Sequence, residues 1–277
     1  MLTPIQRDPA TKILVKRDDL FRPFGAQHVN GGKVRQFGRL LKANQALIRK
    51  RHHNTVVVQS SIFSSTVSVL AEVANHFGMQ SVVCVGGTRV DLYPKHRPLT
   101  YALAQGCDVR NVCGTGMSGP IMARLREIVA EEQFFDACLK HNVEQPCVLN
   151  CIAKEVQNLP EQMDLLVIPS GSGIHAAAIM LGLQKHQKQV KRIVAIGVGP
   201  NRSDDINEWL KLRQVDLPEY EFVSLKTVYA KGVKATACGA LLDPLYEAKA
   251  WNYMLESLSP TKRSVFWNAG VNISAFT

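Results

Sequence analysis

Long apolar runs are missing from this chain of 277 residues, and none approaches the length that crosses a bilayer. The opening segment also lacks an apolar leader, because Pro4, Arg7, Asp8 and Pro9 interrupt it where a signal peptide needs one. A cytoplasmic location is the expectation. Paired cysteines are absent too. Cys84, Cys107, Cys113, Cys138, Cys147, Cys151 and Cys238 form no C-x-x-C spacing. Cys147 and Cys151 fall one helical turn apart, but no histidine or second pair completes a zinc set, so buried free thiols and no metal are expected. Internal repeats and low-complexity stretches are also lacking.

Acidic residues are scarce at one end. Met1 to Arg51 holds twelve Lys and Arg against three Asp, a local +9 within a total of +10. Such clustering points to a basic surface, an anionic ligand, or both. Solvated side chains on one helix account for about half of it. A single phosphate group does not need the rest, and the surplus suggests a nucleic-acid contact through this basic segment. The remainder of the composition, 46% hydrophobic and 20% charged, is that of a globular chain able to bury a sizeable core.

Short β-rich apolar runs alternate with segments of helical period. Strands are expected at Ile13–Lys16, Thr55–Gln59, Ser81–Val85, Asp108–Val112, Leu165–Pro169, Arg192–Val198 and Ser264–Trp267. Helices are expected at Val34–Arg51, Ser64–Phe77, Pro98–Gln105, Ser118–Leu139, from Gly173 through Leu183, and at Tyr246–Leu258. This alternation means βαβ units and mostly parallel sheets, with ligands at the carboxyl ends of strands. An α/β fold of two domains follows, a large one from residues 1–48 with 144–277 and a small one from residues 49–143.

Two segments carry chemistry. Ile168-Pro-Ser-Gly-Ser-Gly-Ile-His175 joins an apolar strand to a helix, and its glycines free backbone amides to hold a phosphate. No Gly-Lys-Ser/Thr follows, and Ala176 stands where a dinucleotide fingerprint needs its third glycine, so neither common phosphate motif applies. The second segment is Lys16-Arg-Asp-Asp19 followed by Asn30-Gly-Gly-Lys-Val-Arg35. Lys33 opens a helix beside several arginines, surroundings that lower an amine pKa. Taken alone, Lys33 also reads as one more surface cation.

These residues, with Gln59-Ser-Ser61, Leu242-Asp-Pro-Leu-Tyr-Glu-Ala-Lys-Ala250 and Phe266-Trp-Asn-Ala-Gly270, resemble the D-cysteine desulfhydrase and 1-aminocyclopropane-1-carboxylate deaminase family. These are fold-type II, tryptophan-synthase-β-like enzymes that use pyridoxal 5′-phosphate. Five motifs in the right order span nearly the whole chain. The resemblance implies two twisted, mostly parallel sheets flanked by helices, with the cofactor in the cleft between two domains.

It also implies roles. Lys33 holds the cofactor as a Schiff base and shuttles the proton at the substrate α-carbon. Ser170, Gly171, Ser172, Gly173, Ile174 and His175 hold the phosphate, Ser61 contacts the ring, and Glu247 faces the pyridine nitrogen. Ser60 and Tyr246 act on substrate, and Ser64 and Ser65 lie where the substrate carboxylate binds. Tyr246 also reads as core, and Ser64, Ser65 and Thr66 as caps of their helix. A homodimer is implied as well.

The chain departs from the family pattern at several points. Gly32 replaces an asparagine, Ser61 another asparagine, Ser64 an arginine, and Ile174 a glycine. The segment Tyr229 to Cys238 lacks the family's Gly-Tyr-Gly tyrosine and offers Lys231 and Lys234. The cofactor end is thus better kept than the substrate end. Three readings stay open: a lyase or deaminase of a free amino acid; a decarboxylase or lyase of an amino acid attached to a polyanion such as a hypermodified DNA base; and an inactive binding protein of the same fold.

Overall fold

The computed structural model describes residues 2–216 and 219–270 and builds two principal sheets. The larger runs Ile5–Arg7, Leu14–Arg17, Ser264–Asn268, Leu165–Ser170, Ile193–Gly197, Glu221–Ser224. Its first pair is antiparallel and every other neighbour is parallel. The smaller sheet runs Asp108–Cys113, Gln80–Gly86, Thr55–Gln59, Phe135–Asp136, all parallel. The helices are α1 (Gly32–Arg51), α2 (Thr66–His76), α3 (Arg97–Ala104), α4 (Ser118–Glu132), α5 (Pro146–Ala153), α6 (Ile174–Lys185), α7 (Ser203–Leu212) and α8 (Glu247–Ser257). The expected α/β fold with parallel sheets flanked by helices is present.

The central strands are apolar at every step because both faces are covered. Leu165, Val167, Val194, Ile196 and Phe266 cluster with Trp251 and Met254 of α8. The alternate residues Leu166, Ile168, Ile193, Ala195 and Trp267 join the other core with Ile179 of α6 and Trp209 of α7. A strand's two-residue period sends neighbours to opposite faces, so a doubly covered strand reads as a continuous apolar run.

Three differences from the sequence reading have local causes. The helix expected at Ser118–Leu139 stops at Glu132, because Gln133 adopts φ 54° and Phe135 enters the small sheet opposite Val56. Helices α5 and α7 and the edge strands Ile5–Arg7 and Glu221–Ser224 escaped notice, being too short for their periodicity to stand out. The cysteines are free, but only Cys84, Cys107 and Cys138 are buried; the others are half-buried.

The basic amino-terminal segment also divides. Lys16 reaches Glu155 at 3.0 Å, Arg17 reaches Asp19 at 2.7 Å, and Arg35 bridges Asp18 at 2.8 Å and Glu155 at 3.2 Å. These side chains are buried, so part of the local +9 is internal structure rather than surface. The remaining cations of α1, from Arg39 and Lys42 to Arg49, Lys50 and Arg51, are exposed.

Parallel register brings the strand ends of the large sheet to one edge. Asn268 stands beside Arg17, and Gly197 beside Ser170. The segments leaving that edge are Asp18-Asp19, Gly171–Gly173 and Ala269-Gly270, the position at which open α/β sheets bind ligands.

Candidate active site

Lys33 enters this edge from the first turn of α1. The two glycines before it are required by close approach. At Gly31, whose φ is +87°, a Cβ would stand 2.2 Å from the Ala269 carbonyl oxygen; at Gly32 it would stand 2.1 Å from the His175 ring. The Gly32 amide instead donates to the Ala269 carbonyl at 2.9 Å, pinning the start of α1 to a strand end. A side chain at position 32 would therefore meet the His175 ring where it now stands.

Facing Lys33 across the cleft are Ser65, the loop Gly171–Gly173, Asp243, Tyr246 and Glu247. The Lys33 Nζ donates to Ser65 Oγ at 3.0 Å and lies 6.0 Å from the centre of the Tyr246 ring. Burial pushes the Lys33 amine below its ordinary value, against the opposing pull of Glu247 and Asp243. The arginines that the sequence reading invoked are not the cause. Arg35 points away from the cleft, into its pairs with Asp18 and Glu155.

The serine–glycine loop is built for a dianion. Gly173 caps α6 with φ +88°, and the first-turn amides of that helix have no partner within it. The buried Ser170 Oγ and His175 Nε2 have no hydrogen-bond partner among the described residues. Unpaired buried polar atoms of this kind are expensive unless a ligand satisfies them. His175 Nε2 also sits 3.9 Å from Asp18 Oδ2. Burial alone would raise Asp18, but His175 and Arg35 hold it below the usual carboxylate range. The residues present therefore fit a phosphate at the loop, an amine-reactive group at Lys33, and a basic ring atom near the acids.

Glu247, at the start of α8, is buried and lines the cleft. Asp243, within Leu242–Ala250, lines the same space, a role that the motif resemblance does not assign to it. Its Oδ1 accepts from the amides of Leu245 at 2.9 Å and Tyr246 at 3.1 Å, shaping the turn into α8. Burial raises both carboxyls, Glu247 well above its ordinary value. Tyr229 was misjudged as well. Lys231 and Lys234 are exposed, while Tyr229 Oη accepts a 2.8 Å hydrogen bond from Tyr246 Oη. Tyr246 is thus neither plain core nor isolated; burial pushes its phenol well up.

The serines separate. Ser65 precedes α2 and reaches Lys33, whereas Ser64 Oγ accepts from the Thr66 amide at 3.2 Å in the turn ahead of that helix. Ser60 is buried with its Oγ unpaired, and its amide is tied to the Cys84 carbonyl at 2.9 Å. Ser61 accepts from the Phe63 amide at 3.3 Å. Ser60, Ser61 and Ser64 are not among the described residues around Lys33, but Ser61 hydrogen-bonds Tyr229, the partner of Tyr246. All three follow the strand Thr55–Gln59 of the smaller sheet.

Among the described residues, Asp136, Cys138 and His141 are three metal-ligand types whose donor atoms lie within 4.8 Å of one another. His141 Nδ1 is already 2.5 Å from Asp136 Oδ2, and burial pushes the Cys138 thiol well up. Hydrogen bonding accounts for the trio.

The raised Glu247 pKa has a measurable consequence. Between its ordinary value near 4.5 and its raised value, the folded protein holds a proton that the unfolded chain has lost. Stability therefore falls as pH climbs through that window and levels off above it. Glu247→Gln is expected to raise the melting temperature of the cofactor-free protein at pH 8 by about 2–4 °C, the shift that about 1 kcal/mol gives at this size. It should also flatten the fall of melting temperature with rising pH above the ordinary carboxylate range. An unchanged pH dependence would place the buried proton elsewhere.

Residues 2–250 match the profile of the family described as pyridoxal-phosphate dependent enzyme. A curated relative, the O-seryl-dTMP PLP-dependent decarboxylase of Salmonella phage ViI, is 26% identical over 75% of this chain. The match spans about half of that relative's length, 52%. Among solved structures, an ACC deaminase homologue superposes with a TM-score of 0.76 at 20% identity, covering 98% of this chain and 89% of that one. A fungal L-serine ammonia-lyase from Rhizomucor miehei superposes with 0.68 at 15% identity, covering 98% and 94%. At such identities these two likenesses carry the fold alone. Among the described residues no helix is long and apolar enough to cross a membrane. With the matched residues running nearly its full length and a cleft whose donors fit the group, the chain belongs to the pyridoxal-phosphate dependent enzyme family, and pyridoxal 5′-phosphate is its cofactor.

Proposed function

We propose that this enzyme acts at the α-carbon of an amino acid carried on a nucleotide, and that it removes the carboxylate as CO2. The observation that carries the cofactor half is Lys33, a half-buried lysine whose amine faces two buried carboxyls and a phosphate-binding loop. The substrate half rests on the phage relative, whose name specifies a seryl nucleotide, and on the exposed cations left over on α1.

Bound pyridoxal phosphate supplies an electron sink for charge that develops at the α-carbon. The chain does the rest. Ser170, Gly171, Ser172, Gly173, Ile174 and His175 bind the phosphate and set the register. Glu247 holds a proton toward the ring. Lys33 is the covalent attachment point, and Ser65 orients its amine. The bond from the α-carbon to the carboxylate breaks, CO2 leaves, and Lys33 delivers a proton to the same carbon. The Tyr229–Tyr246 pair closes the substrate side and excludes water. A homodimer, a cytoplasmic location and a part in DNA modification belong to the same reading.

A second reading, a lyase or deaminase of the desulfhydrase type acting on a free amino acid, draws on the Tyr246 hydroxyl at the cleft. A phenol there suits a leaving group at the β-carbon. The two separate in one experiment. Cofactor-loaded protein is incubated with O-seryl-dTMP, free and within an oligonucleotide, and in parallel with free serine, cysteine and 1-aminocyclopropane-1-carboxylate. The expected result is loss of one CO2 from the seryl nucleotide, read by mass, with no keto acid from the free amino acids. Keto acid with ammonia or sulfide would establish the second reading instead. An absorbing but inert protein would mark a binding protein.

A further inference from the structure

A depression of about 390 Å³ lies behind α1, outside the catalytic cleft. It is lined in part by Phe24, Arg39, Lys42, Phe77 and Lys154. At about 100° per residue, the nine steps from Lys33 to Lys42 turn the two side chains to opposite sides of the helix. The depression and the cleft therefore share α1 but not a surface.

Its charge is unbalanced. Arg39, Lys42 and Lys154 are exposed and pair with no carboxylate among the described residues. The acid in the lining, Glu155, is already bound to Lys16 and Arg35. Two turns beyond Lys42, Arg49 donates to the Phe77 carbonyl at 3.3 Å, adding a cation that pairs with no carboxylate among the described residues. From Arg39 to Arg49 the stripe extends about 15 Å along α1, too long for one phosphate group. Beside it is a run of touching rings, Phe24 to His76 at 4.8 Å and His76 to Phe77 at 5.4 Å. Phe24 and Phe77 are half-exposed and His76 is exposed.

Cations in a row with accessible ring faces are the chemistry that holds single-stranded nucleic acid: phosphates lie on the charges and a base stacks on a ring. A second copy of this chain fits poorly, since a two-fold contact would set Arg39 and Lys42 against their own counterparts. We infer that the back of α1, from Phe24 and His76 across Arg39, Lys42 and Lys154, is an anchoring site for a single DNA strand. This rests on the reading of a nucleotide-borne substrate and deepens it: the enzyme grips the polymer away from the reacting residue.

The test uses cofactor-loaded protein and a fluorescein-labelled oligothymidylate of about 20 nucleotides, with anisotropy read from roughly 50 to 200 mM salt. R39Q/K42Q/K154Q is expected to weaken binding about tenfold or more. It should also reduce the log–log salt slope by about two, since each single-strand phosphate contact contributes about 0.7. R126Q/K185Q/K211Q removes the same charge from exposed positions elsewhere and should change affinity less than about threefold. Phe24→Ala should weaken binding several-fold with the slope unchanged. Equal losses from both triple variants would overturn the site in favour of diffuse attraction. DNA binding that survives while the first triple variant breaks a dimer in ultracentrifugation would assign the face to a second copy. Failure of the nucleotide-substrate reading shows separately, as no CO2 from the seryl nucleotide, a readout that plain oligothymidylate does not enter.

Discussion

Lys33→Ala is expected to reduce turnover at least about a thousandfold, the scale on which loss of a positioned proton-transfer group is felt. The reconstituted protein should still take up the cofactor through the serine–glycine loop, because those donors are untouched. It should fail, however, to fix it covalently on borohydride treatment. The reason is geometric: the Lys33 Nζ is the amine held at the cleft by Ser65 and facing Asp243 and Glu247. Lys249, on the neighbouring helix, is committed to the carbonyls of Val228 at 3.0 Å and Tyr229 at 3.2 Å. Peptide mapping of the reduced wild-type protein checks the claim. Label on Lys249, or full turnover in the Lys33 variant, would remove the basis for every functional statement above.

The largest loss of stability is expected from Asp18→Ala. Asp18 is fully buried, accepts from Arg35 at 2.8 Å and faces His175, while Arg35 also shares Glu155 with Lys16. Removing one member leaves uncompensated positive charge in the interior, which typically costs about 3–5 kcal/mol. In a chain of this size that lowers the melting temperature by roughly 10 °C. His175 at the same time loses the carboxylate 3.9 Å from its Nε2, so affinity for pyridoxal phosphate should fall as well. Asp91→Ala, in the exposed pair with Arg89, is the comparison and should melt with the wild type. Equal melting of the two variants would mean that the buried cluster holds nothing together. Retained cofactor affinity in the Asp18 variant would separate His175 from the phosphate.

The central strands were legible in the sequence because burial on both faces leaves an unbroken apolar run, as at Leu165–Pro169 and Thr55–Gln59. Their flanking helices were legible wherever the apolar stripe was long, as in α1 and α6. Short elements whose identity comes from neighbours were not. Phe135–Asp136 is a strand because Val56 and Val57 are beside it, and a propensity reading extends α4 across it instead.

Motif order in the sequence determined the cofactor chemistry: a glycine pair before Lys33, a serine–glycine turn, and an acid after Tyr246 each require a residue type that few alternatives supply. Only the tertiary structure decided which groups share the cleft with that lysine. It brought in Asp243, set Tyr229 behind Tyr246, left Ser60 and Ser64 in the loop after a strand of the smaller sheet, and turned Lys16, Arg17 and Arg35 from apparent surface charge into a buried ionic cluster. Charge is additive along a chain, but its effect depends on which opposite charges the fold places within reach. That pairing is set by contacts such as Arg35 to Glu155, far apart in sequence, and no local pattern encodes them.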